Sequence, residues 1–180
     1  MRFRGTAYRA HDPRWSFTPL SGDGAAIHGG RFNPKGTPAL YLGLAPMTAI
    51  KEAGQGLALK IEPLVLCSYE VDCENIVDLT TAAGLKAGGV TRDDLACGWM
   101  LLAHEGKTPP TWAMADRLIA KGAAGVITPS FAPGATADDR NLVLWDWGPS
   151  KPRQINVHDP SGRLPKNQLS WGQNGQRPAS

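Results

Sequence analysis

Apolar residues recur along this chain in short bursts rather than long stripes. From Leu64 to Val71, Val65, Cys67 and Tyr69 alternate with Leu66, Ser68 and Glu70, the period of two that predicts a strand with distinct faces. Phe3 to Ala10 mixes apolar and basic residues and predicts a first strand, with Tyr8-Arg9 near its end. Pro38 to Leu42, Ile76 to Leu79, Ala124 to Ile127, Asn141 to Trp145 and Ile155 to Val157 predict further short strands.

Helical signals are fewer. Pro46 suits a first-turn position, and the segment through Glu52 predicts a helix with Ala49, Ile50 and Ala53 inward, failing near Gly54-Gln55-Gly56. Thr91 can cap a helix whose first turn carries Asp93 and Asp94, continued by Leu95 to His104. Pro109-Pro110-Thr111 breaks the chain, and Trp112 to Ala120 resumes helical periodicity with Trp112, Ala115, Leu118 and Ile119 inward. Asp12 to Pro38 is rich in Gly and Pro and reads as mostly loop, as does Ala132 to Arg140. Short strands around a few modest helices predict an α+β fold rather than a doubly wound sheet. One domain over 1–159 is expected, followed by a flexible tail over 160–180 that contains Trp171.

Composition narrows the function class. The 180 residues suit one domain, and 42% hydrophobic residues suffice for a core. No apolar run is long enough for a membrane span, and Met1-Arg2-Phe3-Arg4-Gly5 is no signal stretch, so a cytoplasmic location is expected. A net charge of +3, without a nucleic-acid-binding motif, argues against direct nucleic acid binding. The first 35 residues are locally basic, with Arg2, Arg4, Arg9, Arg14, Arg31 and Lys35 against Asp12 and Asp23; this is either a phosphate-focusing field or a solvated face. Cys67, Cys73 and Cys97 lack zinc spacing, and His11, His28, His104 and His158 form no metal motif, so no metal is expected.

The candidate chemistry lies in His28-Gly29-Gly30-Arg31-Phe32-Asn33, in Leu40-Tyr41-Leu42 and in Ala49-Ile50-Lys51-Glu52. Glycines beside Arg31 permit tight turns and close backbone approach, and a guanidinium fork matches phosphate oxygens. Tyr41 would leave its strand on the face opposite Leu40 and Leu42. Glu52 is a carboxylate among small apolar residues and needs a partner or solvent. Ser130 follows Pro129 at a strand end, outside any Gly-x-Ser-x-Gly elbow. Asn141 could bridge its loop or recognise ligand, and His28 could contact phosphate. Taken singly, each has a plainer reading: a loop arginine, a core tyrosine, an exposed helix acid, a turn serine. Together an arginine, an aromatic and a lone carboxylate suit an anionic ligand with a cationic leaving ring, such as NAD. The Gly spacing fits neither a Rossmann fingerprint nor a P-loop, which argues against an NAD-dependent oxidoreductase.

The combined order of Tyr8-Arg9, Gly30-Arg31-Phe32-Asn33, Leu40-Tyr41, Ala49 to Glu52, Gly125 to Ser130 and Asn141 to Leu144 resembles the RES-domain family of bacterial toxins, over roughly the first four-fifths of the chain. The family is named for an arginine, a glutamate and a serine, which match Arg31, Glu52 and Ser130; Tyr41 matches its active-site tyrosine, and Arg9 sits where the family often has another arginine. The resemblance implies a compact fold related to ADP-ribosyltransferases such as diphtheria toxin. It implies NAD as substrate, held by Arg9, Arg31, Tyr41 and Ser130, with Glu52, Arg31 and Tyr41 catalytic; Asn141 and His28 join the expected ligand site on the residue reading alone.

Members of this family cleave NAD with water or phosphate, or transfer ADP-ribose to a protein, including an enzyme of nucleotide synthesis. The reading adopted is transfer to a protein target, with NAD glycohydrolase or phosphorylase activity as the alternative. A noncatalytic nucleotide-binding or nucleic-acid-binding protein is the different-class alternative. The resemblance also implies a cognate antitoxin partner with a DNA-binding domain.

Overall fold

The computed structural model describes residues 1–54 and 62–169. Its centre is a seven-stranded sheet: β1 (Phe3–His11), β2 (Leu40–Gly43), β3 (Val65–Cys73), β4 (Ile76–Asp78), β5 (Gly125–Pro129), β6 (Arg140–Leu144) and β7 (Arg153–Val157), in the order β4-β5-β6-β2-β1-β3-β7. The β4–β5 pair is parallel and the other pairs are antiparallel. All seven expected strands are present, and the α+β class stands.

Alternation along the strands builds two cores. Leu40 and Leu42 of β2 and Leu142 and Leu144 of β6 join Ala7, Tyr69 and Ile155 on one face. Val143, Val126, Leu79, Met114 and Leu118 pack on the other, and Tyr41 lies against that second core. A side-chain period of two is the reason Tyr41 and its neighbours part company.

The helices are α1 (Asp23–His28), α2 (Pro46–Ala53), α3 (Ala82–Gly88), α4 (Arg92–Leu95), α5 (Trp99–His104) and α6 (Pro110–Ala120), with a 3-10 turn at Pro13–Trp15. Two of these correct the sequence reading. The segment Asp12 to Pro38, expected as mostly loop, also holds the 3-10 turn and α1, because Asp12 caps the turn and α1 closes on Gly29 N–H to Ala25 C=O. Helix α3 was not anticipated because Gly84 and Gly88 weaken its propensity. Packing overrides that: a Cβ on Gly84 would lie 1.7 Å from the Asp78 carbonyl, so only glycine lets α3 sit on the end of β4.

The helix expected from Thr91 to His104 is two helices. Thr91 forms the predicted cap, with a reciprocal capping box to Asp94. The chain then breaks at Ala96-Cys97-Gly98 before α5. Helix α6 starts at Pro110, before the expected Trp112, and buries Thr111, Met114, Ala115 and Leu118, whereas Trp112 and Ile119 are half-buried. Helix α2 ends at Ala53 as expected, although Gln55-Gly56 lie outside the described residues.

At the start of the expected tail, Asp159 accepts the Arg163 and Leu164 N–H groups, Leu164 packs on the first core, and Gln168 donates to the Arg14 carbonyl. Trp171 and the rest of residues 170–180 lie outside the described residues.

Candidate active site

Strands β1 and β2 share one ladder pair, Tyr8 with Gly43. Beside that single pairing lies a cavity of about 390 Å³, a volume usual for small-molecule sites. β1 contributes Tyr8 and Arg9, β2 contributes Tyr41 and Gly43, α2 contributes Ala49 and Glu52, and Arg31, Trp99, Phe131 and Asn141 complete much of the wall. Gly43 is why α2 can enter this wall. A Cβ there would lie 2.6 Å from the Ala49 nitrogen, so the bare backbone lets the helix approach and bring Glu52 to the cavity.

The Arg31 loop is tightly determined. The Asn33 side-chain amide donates to the carbonyls of Ala25 (2.9 Å), Pro34 (3.2 Å) and Thr37 (2.8 Å), while its oxygen accepts from the Tyr41 hydroxyl (2.7 Å). That hydroxyl also accepts the Phe32 N–H at 3.0 Å. Trp112 and Trp145 donate their indole N–H groups to the Gly30 and Phe32 carbonyls. Gly30 makes this possible, since its Cβ would meet the Tyr41 hydroxyl at 2.4 Å. Burial pushes the Tyr41 phenol above its ordinary value, so it stays protonated and donates to Asn33.

Arg31 donates from Nη1 to the Leu95 (3.0 Å) and Cys97 (2.7 Å) carbonyls, and its guanidinium lies 4.4 Å from the Phe131 ring centre. The break between α4 and α5 thus supplies the carbonyls that hold this cation. Arg9 donates to the Pro19 (3.1 Å) and Ser21 (2.9 Å) carbonyls. Burial opposes the charge on both arginines. Among the described residues neither forms an ion pair, so two desolvated cations at the cavity are held mainly by carbonyl dipoles. Such a site favours an anionic ligand.

Glu52 is the acid in this wall. Ser130 Oγ donates to its Oε1 at 2.6 Å, and Asn141 Nδ2 donates to the same oxygen at 2.5 Å. Ser130 itself accepts the Ala132 N–H at 3.2 Å. One clasp positions all three residues. Asp139 accepts from Thr48 (2.6 Å) and Lys51 (2.8 Å) of α2 and from the Thr136 N–H (2.8 Å), while its backbone carbonyl receives the Ser130 N–H at 2.8 Å. Lys51, Thr48 and Thr136 hold the Asp139 carboxyl well below its ordinary range.

The structure therefore brings Arg9, Arg31, Tyr41, Glu52 and Asn141 to one cavity. Ser130 stands behind Glu52 rather than in the lining. His28 is exposed at the C-terminal end of α1 and does not line the cavity. Phe131, Trp99 and the Asp139 clasp have no signature in the chain: each acts through a partner distant in sequence. The one local hint was Asn33 beside the Gly-Gly-Arg segment. Among the described residues, no group of His, Cys, Asp and Glu side chains is placed to hold a metal ion.

A sequence model of the RES domain matches residues 6–167. No curated protein matches the chain in sequence. Among solved structures, a chain of the M. tuberculosis MbcT–MbcA toxin–antitoxin complex is similar, with a TM-score of 0.59, 23% identity, and coverage of 88% of this chain and 84% of that chain. The α+β fold expected from the sequence is the fold observed, and that chain shares it.

Proposed function

This chain belongs to the RES domain family, and from that premise we propose that it is the toxin of a toxin–antitoxin module that cleaves the nicotinamide–ribose bond of NAD and transfers ADP-ribose to a protein. The observation carrying this reading is the Glu52 carboxylate, held on one oxygen by Ser130 and Asn141, facing a cavity that also holds two carbonyl-bound arginines.

In this mechanism Arg9 and Arg31 bind the pyrophosphate oxygens. The Tyr41 ring packs on the nicotinamide side, its hydroxyl already committed to Phe32 and Asn33. The bond from the ribose anomeric carbon to the nicotinamide nitrogen breaks, and neutral nicotinamide leaves with the electron pair. No acid is needed, because the leaving ring is already cationic. Positive charge moves to the ribose, where Glu52 stabilises it. An acceptor oxygen or nitrogen then bonds to the anomeric carbon and releases its proton. The catalytic demand is electrostatic and positional, and a carboxylate fixed beforehand by two donors meets it.

The helices lining the cavity also carry exposed apolar residues: Ile27 on α1, Met47 on α2, and Met100 and Leu101 on α5. Such residues suit a macromolecular partner, which supports both a protein acceptor and an antitoxin. The DNA-binding domain of the module belongs, in this reading, to the antitoxin. No helix among the described residues is long and apolar enough to cross a membrane, and the proposed site of action is the cytoplasm.

The test is incubation of the purified protein with adenine-labelled NAD and a cell lysate, with and without phosphate. Label fixed on one protein band is the expected result. Label only in ADP-ribose or its phosphate would make water or phosphate the acceptor. Binding of NAD without nicotinamide release would refute catalysis and favour a noncatalytic nucleotide-binding protein.

A further inference from the structure

Asn141 is 7% exposed and lines the cavity, and its Oδ1 is buried without a hydrogen-bond partner. The orientation of the amide follows from chemistry: an ionised carboxylate only accepts, so the Glu52 oxygen at 2.5 Å must face Nδ2. Oδ1 therefore points away from Glu52. A buried amide oxygen left unpaired is costly, and native proteins leave few of them. Elsewhere the same site is fully used: the Asn33 amide reaches three carbonyls and its oxygen accepts from Tyr41.

We propose that Asn141 Oδ1 accepts a hydrogen bond from a hydroxyl of the ribose that carries nicotinamide, so that one side chain both aligns Glu52 and reads the sugar it acts on. This rests on NAD being the substrate. The placement follows from the two ends of one amide. Nδ2 holds Glu52, whose carboxylate must face that ribose when nicotinamide leaves, so a donor reaching Oδ1 is a close neighbour of the same carboxylate. The pyrophosphate, bound by Arg9 and Arg31 in this reading, carries no donor, and the adenosine donors lie beyond it, on the side away from the bond that breaks. The hydroxyl completes an uninterrupted line of hydrogen bonds from sugar to Asn141 to Glu52, with Ser130 closing the far side.

The experiment measures nicotinamide release from NAD and from analogues lacking the 2′- or 3′-hydroxyl of that ribose. Wild type, Asn141→Leu, Asn141→Asp and Ser130→Ala are compared. In wild type, one analogue should lose roughly tenfold in kcat/KM, the size expected when a buried acceptor is left unpaired. Ser130→Ala removes the other Glu52 donor without touching the sugar, so it slows turnover but keeps that penalty. Asn141→Leu should erase the penalty, with NAD and the analogue equally poor.

Asn141→Asp keeps an acceptor toward the sugar and tests the same point if the leucine variant does not fold. Its new carboxyl and Glu52 share one proton, so its penalty should persist at acidic pH and its activity fall as pH rises. The proposal is overturned if neither analogue is penalised in wild type, or if the penalty survives in Asn141→Leu or vanishes in Ser130→Ala. It is likewise overturned if Asn141→Asp discriminates no better than the leucine variant. If wild type releases no nicotinamide from NAD itself, the substrate assignment falls and takes this inference with it; release with unchanged discrimination removes the inference alone.

Discussion

Replacing Tyr41 with Phe separates what its hydroxyl does from what its ring does. The hydroxyl accepts the Phe32 N–H at 3.0 Å and donates to Asn33 Oδ1 at 2.7 Å. Phe32 is 3% exposed and Asn33 0%, so water cannot readily replace it. Tyr41→Phe keeps the apolar ring and orphans two buried groups. At about 1–3 kcal/mol for each unsatisfied group, with some relaxation, the loss is about 2–4 kcal/mol. For a chain of this size that lowers Tm by roughly 5–15 °C. The Arg31 loop loosens with it, because Asn33 is the hub of that loop. Yet no step proposed for the hydroxyl involves NAD, so nicotinamide release should persist at low temperature, with a raised KM and a kcat within about tenfold of wild type. Thermal unfolding by circular dichroism and NAD kinetics at 15–20 °C below the variant's Tm provide the two readouts. A Tm within about 1 °C of wild type would refute the burial argument. A loss of kcat as complete as that of a Glu52 variant would refute the structural assignment of the hydroxyl.

Glu52→Gln keeps an oxygen for Ser130 and Asn141 but removes the charge; NAD affinity by titration calorimetry should change little while nicotinamide release falls about 10²–10³-fold, the scale of a lost transition-state group. Near-normal turnover would exclude Glu52 as the catalytic carboxylate. Gly30→Ala places a Cβ 2.4 Å from the Tyr41 hydroxyl and 2.6 Å from Asn33 Oδ1; overpacking should cost about 1–3 kcal/mol, and combining it with Tyr41→Phe should relieve part of that loss in a denaturant titration. Asp139→Asn tests the clasp through pH. The Asp139 carboxyl is held low by Lys51 and Thr48, so its stabilisation is fully present above the ordinary Asp value of about 4 and is lost as pH falls through the lower folded value. The Tm gap between wild type and variant should be constant from pH 5 to 7 and shrink below about pH 4; a gap that stays constant into acid would sink the assignment.

The strands were legible in the chain because a side-chain period of two survives in short segments, and Val65, Cys67 and Tyr69 display it plainly. The Thr91 cap and the Pro46 helix start were legible for the same reason: each is decided within a few residues. The glycine-rich segments misled. The segment with Gly84 and Gly88 carries no helix signal in the sequence, yet α3 exists because a bare backbone fits against β4. The segment before Arg31 read as loop, although α1 lies within it and its last turn leads into Gly29-Gly30.

The sequence by itself determined the chemical parts: an α+β chain carrying Arg31, Tyr41, Glu52 and Ser130 in an order that resembles one family. Tertiary structure alone decided how those parts meet. Ser130 and Asn141 converge on one oxygen of Glu52 from 78 and 89 residues away. Arg31 finds its carbonyls 64 and 66 residues downstream, at the break between α4 and α5. Asp139 joins α2 to the loop that carries Ser130 and leads into Asn141 of β6. Local pattern follows from backbone sterics and periodicity, which act over a few residues. The charge and hydrogen-bond balance of a buried site depends on which distant groups the packed sheet brings within about 3 Å of each other.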